Sequence, residues 1–194
     1  MRKGSVKRVT NETEIEVEID LDGTGDSSIS TGIGFFDHML TAFAKHGFFD
    51  LNLKCKGDLY IDSHHTIEDC GIALGEAIEK ALGSKEGINR YGCFTLPMDE
   101  TLILSAVDLC GRPYLNFDVD FTVPKVGEFD TEMAKEFFYA VSYSAGMNLH
   151  LKELAGENNH HKLEACFKAF AKALCAAVSP NGRINGVLST KGTL

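Results

Sequence analysis

The feature that most constrains what this chain can fold into is that its sequence repeats itself. Asn11-Glu12-Thr13 followed by Asp20-Leu21-Asp22-Gly23 returns as Asp99-Glu100-Thr101 followed by Asp108-Leu109-Cys110-Gly111, both landmarks displaced by 88 residues. His64-His65-Thr66-Ile67-Glu68 returns as His160-His161-Lys162-Leu163-Glu164, displaced by 96, so the second copy carries a net insertion of eight residues between the landmarks. Beyond each His pair, Ile67, Cys70, Leu74, Ile78 and Leu82 match Leu163, Cys166, Phe170, Leu174 and Val178 at that same displacement. Landmarks recurring in order mean two like units, not a chance likeness of two segments.

Each copy reads alike at the level of local structure. From Thr13 to Leu21 the apolar residues Ile15, Val17 and Ile19 alternate with Glu14, Glu16 and Glu18, the period of a half-buried strand, and Asp22-Gly23 turns the chain. Thr101 to Leu109 is more apolar and predicts a better-buried strand. A helix is predicted from Phe36 to His46, stopped by Gly47, and its counterpart from Thr131 to Ala145, stopped by Gly146. Strands at Phe49–Lys56 and Met147–Leu154 follow, and then the amphipathic His-pair helices with one apolar stripe. The expectation is an α+β fold of two duplicated α/β repeats, each a small sheet with helices on one face, over residues 1–92 and 93–182 with a tail at 183–194.

Composition narrows the classes of function. With 19 Lys+Arg against 28 Asp+Glu, a net charge of -9, the chain would repel a phosphodiester backbone, so no nucleic-acid partner is expected. No apolar run approaches the roughly 20 residues of a membrane helix, so no membrane partner and a cytoplasmic location are expected. The six cysteines form no C-x-x-C pair and sit among apolar residues, which fits reduced packing thiols.

The His pairs carry the chemistry. On a helix His64 and Glu68 lie one turn apart on one face, as do His65 and Glu68, but adjacent residues diverge by about 100° around the axis. His64 and His65 should therefore serve different metal ions. With His160, His161 and Glu164 the chain offers six ligands, three to each of two sites. The zincin pattern H-E-x-x-H is absent, and imidazole with carboxylate but no thiolate favours Mn2+ or Fe2+ over structural Zn2+. His38, at the start of the first helix, and Glu136, at the matching place in the second, are further ligands; aligning the glycines at 47 and 146 would instead set Glu136 against Asp37. His46 and His150 have weaker cases.

Arg8-Val9-Thr10-Asn11-Glu12-Thr13, Leu21-Asp22-Gly23-Thr24-Gly25, Phe36-Asp37-His38-Met39-Leu40, Asp62 to Asp69, Gly156 to Glu164 and Ser189-Thr190-Lys191-Gly192 together resemble the imidazoleglycerol-phosphate dehydratase family nearly end to end. The resemblance implies ribosomal-protein-S5-like repeats, two Mn2+ ions per active site, and a homo-oligomer of about 24 subunits with sites at their interfaces. It implies loss of water from D-erythro-imidazoleglycerol phosphate, in L-histidine biosynthesis, to give imidazole acetol phosphate. Many members carry histidine where this chain has Glu136, and Mn2+ accepts either donor. Two metals on the substrate imidazole would favour imidazolate, expel the neighbouring hydroxyl, and make the remaining carbon-bound proton acidic. Glu12 is the first candidate to move that proton, with Glu100 beside Asp99 a weaker one, and Glu68 and Glu164 the other carboxylates at hand. Arg90, Arg112, Ser189, Thr190 and Lys191 match the family's substrate and phosphate contacts, and Lys168 could join them. A dinuclear phosphate-ester hydrolase, or a metal-storage or metal-sensing protein, would use the same ligands. The first has no use for two metals spaced for an imidazole ring, and the second none for the arginines and basic tail.

Overall fold

The computed structural model describes residues 1–194. The first unit runs β1 (Lys3–Val9), β2 (Thr13–Asp20), β3 (Ser27–Ser30), α1 (Gly34–Gly47), β4 (Asp50–Gly57) and α2 (His64–Leu82). The second runs β5 (Tyr91–Met98), β6 (Thr101–Asp108), β7 (Tyr114–Asp118), a short hairpin of β8 (Lys125–Val126) and β9 (Phe129–Asp130), α3 (Met133–Ser144), β10 (Asn148–Ala155) and α4 (Asn159–Val178). Both sheets have one topology, β1-β2-β4-β3 and β5-β6-β10-β7, with only the outer strands β3 and β7 parallel to their neighbours. The hairpin lies between β7 and α3, inside the interval where the repeat requires inserted residues. β5 starts at Tyr91, so its first two residues fall on the other side of the division expected after residue 92.

Each sheet buries one face. In β2 Ile15, Val17 and Ile19 are buried while Glu14, Glu16 and Glu18 are exposed, and in β6 even the outward residues are half-buried, as its more apolar sequence predicts. The helices of each unit cover that face and meet those of the other unit, α2 against α3 and α1 against α4. The layers are therefore sheet, helices, helices, sheet around one continuous apolar core. Two glycines set how closely helix and sheet approach: a Cβ at Gly4 would overlap the carbonyl oxygen of Ala77, and one at Gly92 that of Ala173. The requirement is itself duplicated.

The helix ends correct the expected register. Gly47 remains helical, and the left-handed residue closing α1 is Phe48 at φ 59°; in the second unit Gly146 takes that place at φ 62°. Phe49 N–H donates to the Ala44 carbonyl at 3.0 Å and Met147 N–H to the Ser142 carbonyl at 3.0 Å, so the units align here at a displacement of 98. That alignment sets Glu136 against His38, not Asp37. Thr131, expected inside α3, instead ties down the hairpin, its hydroxyl donating to the Val123 carbonyl at 2.8 Å.

The units differ in how their helices meet. Gly71 and Gly75 of α2 let α3 come so close that a Cβ at either would lie 2.7–2.8 Å from Ala140 or Ser144. In α4 the matching positions are Phe167 and Ala171, and Phe167 stands among Phe36, Phe137 and Phe138. Small residues pull one helix pair together; a phenyl ring spaces the other.

Candidate metal centre

The helices of each packed pair run the same way. Along α2 and α3, Gly71 meets Phe137 and Gly75 meets Val141; along α1 and α4, His38 lies beside His160, Phe43 stacks on Phe170, and Lys172 covers Phe48. Phe36 near the start of α1 meets Phe137 near the start of α3 at 5.3 Å, so all four helices begin at one end of the molecule. His38, His64, His65, Glu136, His160 and His161 all stand within the first five residues of their helices. An Asx side chain two residues ahead of each His pair caps its helix: Asp62 accepts from His64 N–H at 2.8 Å, and Asn158 accepts from His160 N–H at 2.9 Å and His161 N–H at 3.2 Å.

Within each pair the imidazoles diverge, as their angular separation predicts. The rings of His64 and His65 are 6.3 Å apart at 77°, and those of His160 and His161 6.2 Å apart at 81°. The leading histidine turns to its own helix: His64 Nε2 lies 3.6 Å from Glu68, and His160 Nε2 3.0 Å from Glu164. The second turns to carboxylates outside the helix. His65 Nδ1 meets Asp58 at 3.0 Å and its Nε2 faces Glu12 at 3.6 Å, whereas His161 Nδ1 meets Glu100 at 2.8 Å and its Nε2 lies 3.9 Å from Asp99.

His38, His160 and Glu164 bring their donor atoms within 4.8 Å of one another. His38 Nε2 is 3.5 Å from the Glu164 carboxylate. This trio mixes the units, one ligand from α1 and two from α4. Burial opposes ionisation of Glu164, but the hydrogen bond and charge of Lys168, with the bond to His160, outweigh it and hold the carboxyl below its ordinary range. Two imidazoles and an ionised carboxylate make a donor set suited to a borderline divalent cation. His64 and Glu68 repeat the arrangement on α2, with Glu136 at the position that matches His38, but these three do not close within the same reach. The hydrogen bonds that His65 donates to Asp58 and His161 donates to Glu100 raise the pKa of each imidazole above its ordinary value. Glu100 is held far below the usual carboxylate range by the Asn158 N–H, and next by His161.

The expected cations lie elsewhere. Arg90 N–H donates to the carbonyl of Ala177, near the last turn of α4, so Arg90 stands about 25 Å along that helix from His160. Its guanidinium is engaged, Nε to Asp108 at 2.7 Å and a terminal nitrogen to the Leu188 carbonyl at 2.7 Å. It thus holds the chain that leads to Ser189, Thr190 and Lys191, and with Arg183 and that chain it lines a cavity of about 600 Å3. The tail ends against Gly111, beside the exposed Arg112. Lys168 sits apart from them, bound to Glu164 one turn before it. His46 stands at the end of α1 with its pKa lowered by burial and by Lys168, and His150 packs on Tyr114. Asp58 was absent from the expected site. The signal for it is the break in the repeat: Gly156 occupies its place in the second unit.

The chain is similar to known proteins over nearly its whole length. The family model described as imidazoleglycerol-phosphate dehydratase matches residues 31–174. The chain is 64% identical over 193 residues to the imidazoleglycerol-phosphate dehydratase of Lachnoclostridium phytofermentans, covering all of this chain and 98% of that protein. It is 58% identical to that of Acetivibrio thermocellus, covering all of this chain and 99% of the relative. Among solved structures, the Staphylococcus aureus enzyme superposes with a TM-score of 0.84 at 40% identity, over 92% of this chain and 99% of that one. The Pyrococcus furiosus enzyme does so at 0.84 and 39%, over 97% and 100%.

Proposed function

Because the chain belongs to the imidazoleglycerol-phosphate dehydratase family and is a hydro-lyase, we propose that it removes water from D-erythro-imidazoleglycerol phosphate to give imidazole acetol phosphate, using two Mn2+ ions per site. The observation that supports this most is the duplicated pattern in which two neighbouring imidazoles diverge toward separate carboxylates. Such a pattern offers two metal positions, matching the two ring nitrogens of an imidazole substrate. The donors fit Mn2+: imidazole nitrogen and carboxylate oxygen, with no cysteine among them.

His38, His160 and Glu164 would hold one ion, and His64, Glu68 and Glu136 belong to the corresponding set; His65 and His161 add the outward ligands. The metals, when bound, supply Lewis acidity that favours loss of the proton on the substrate ring. The residues do the rest. The hydroxyl leaves as water with the proton the ring gives up, and Glu12, exposed and beside His65 Nε2, takes the carbon-bound proton, which goes back as the ring regains its N–H. Glu100, the weaker candidate, is bound by two backbone N–H groups and His161, which favours Glu12 for that role.

Separation along α4 bears on which residues would bind the phosphate. Some 25 Å divides His160 from the Arg90 end, far more than a three-carbon phosphate ester spans. Arg112, Ser189, Thr190 and Lys191 would thus serve a metal centre on another copy of the chain, and the same holds for self-association into the large homo-oligomer the family resemblance implies. Lys168, near Glu164, is placed to meet the substrate on its own chain. Metal-dependent action on a phosphate in histidine biosynthesis, in the cytoplasm, completes the proposal. Its test is Mn2+-dependent formation of imidazole acetol phosphate by purified protein, lost in His64→Ala. Tight Mn2+ binding without product would refute it.

A further inference from the structure

The two units hold their outer histidines by different means. In the first, both oxygens of Asp58, at the end of β4, meet His65 Nδ1, at 3.0 and 3.3 Å. The position matching Asp58 in the second unit is Gly156, which has no side chain to offer. There Glu100, the repeat partner of Glu12, reaches across and meets His161 Nδ1 at 2.8 Å. Its other oxygen accepts from Asn158 N–H at 2.8 Å, Glu157 N–H at 3.2 Å and the Thr101 hydroxyl at 3.0 Å, so the carboxylate is fixed against the loop that starts α4. Glu12 has none of these bonds. Its side chain is 51% exposed and meets only His65 Nε2, at 3.6 Å.

We propose that Asp58 and Glu100 are equivalent positioning residues, each accepting the Nδ1 proton of its histidine so that Nε2 faces the metal, and that Asp58 thereby releases Glu12 for proton transfer. The inference rests on the metal reading above. A neutral imidazole offers a lone pair on only one nitrogen, and a carboxylate at Nδ1 selects the tautomer whose Nε2 is free. It also orients the ring and strengthens the nitrogen as a donor. Equal positions in the repeat therefore do unequal work: Glu12 is spared because Asp58 is present, and Glu100 is committed because Gly156 is not an aspartate.

The test titrates Mn2+ into the metal-free full chain and reads free ion by electron paramagnetic resonance. Asp58→Asn and Glu100→Gln should each weaken binding roughly 10- to 100-fold. Glu12→Gln should keep wild-type affinity while losing turnover. Adding Gly156→Asp to Glu100→Gln should restore affinity; the new Cβ would lie 3.0 Å from Lys162 Cε and 3.1 Å from Thr101 Oγ1, so each must yield by a few tenths of an ångström. Wild-type affinity in Asp58→Asn and Glu100→Gln would overturn the inference alone, as would an equal loss in Glu12→Gln. No restoration in a double variant with wild-type circular dichroism would overturn the equivalence of the two carboxylates. A wild-type chain that binds no Mn2+ would overturn this inference together with the proposed function.

Discussion

Replacing Phe167 by alanine should destabilise the chain severely and loosen one metal group more than the other. Phe167 is fully buried one turn beyond Glu164, its ring 5.1 Å from that of Phe137 and 4.9 Å from that of Phe138. Phe→Ala in a core costs about 3–5 kcal/mol, and the upper half applies where rigid neighbours prevent collapse. Here Phe36, Phe137 and Phe138 are themselves fully buried, and the lost ring pairs add about 1 kcal/mol. With about 5.5 kcal/mol lost in all and a urea dependence of about 2.5 kcal/mol per molar, the midpoint of the metal-free chain should fall by roughly 2 M at fixed protein concentration. Phe167→Leu, which keeps most of the volume, should move it by less than half as much. Since the ring spaces α4 from α1, Mn2+ binding by His38, His160 and Glu164 should suffer more than binding at His64 and Glu68. A midpoint shift below about 0.5 M would refute the packing argument.

Other outcomes follow from particular contacts. Arg112→Ala should raise the KM for substrate about 10- to 100-fold, the loss of a charge-assisted bond, with Mn2+ content unchanged; an unaltered KM removes Arg112 from the phosphate site. His65 and His161 carry pKa values raised above 6.5 by Asp58 and Glu100, so the folded metal-free chain holds these protons more tightly than the unfolded one. Their contribution to stability is complete below about pH 6.5 and fades as pH rises through the raised values, while Mn2+ affinity climbs over the same window; urea midpoints and Mn2+ titrations from pH 6 to 8.5 should show opposite slopes, and flat profiles would contradict the assignment. Gly92→Ala should lower the melting temperature of the metal-free chain by several degrees, because the new methyl overlaps the Ala173 carbonyl oxygen; an unchanged melting curve would show that α4 is free to lift from β5.

Much of the fold is readable where side chains alternate or recur with helical spacing. Glu14, Glu16 and Glu18 against Ile15, Val17 and Ile19 are enough to place β2, and the stripe from Ile67 to Leu82 places α2, since each pattern has one solution that buries its apolar residues. The edge strands β3 and β7 are not readable: four or five residues such as Ser27–Ser30 carry no period, and their parallel pairing depends on partners far away. The end of α1 misleads because Gly47 looks like a stop, while packing against Phe49 keeps it helical and passes the left-handed turn to Phe48. At the site, the divergence of the His pairs follows from helix geometry alone. What each imidazole meets does not, for Asp58 and Glu100 reach their histidines through tertiary approach. The engagement of Arg90 by Asp108 is equally hidden, since the two are joined only when β5 pairs with β6.

The claim that the metal end and the cation end of different copies form one site is tested most directly by mixing two defective chains. His160→Ala loses a metal ligand and Arg112→Ala a phosphate contact; each alone should turn over substrate poorly when it is supplied below KM. Assembled together at equal amounts, they should recover roughly a quarter of wild-type activity, because in random assembly one site in four draws its metal end from one intact source and its cation end from another. Activity no greater than the average of the two separate variants would contradict the account and place the whole site on a single chain.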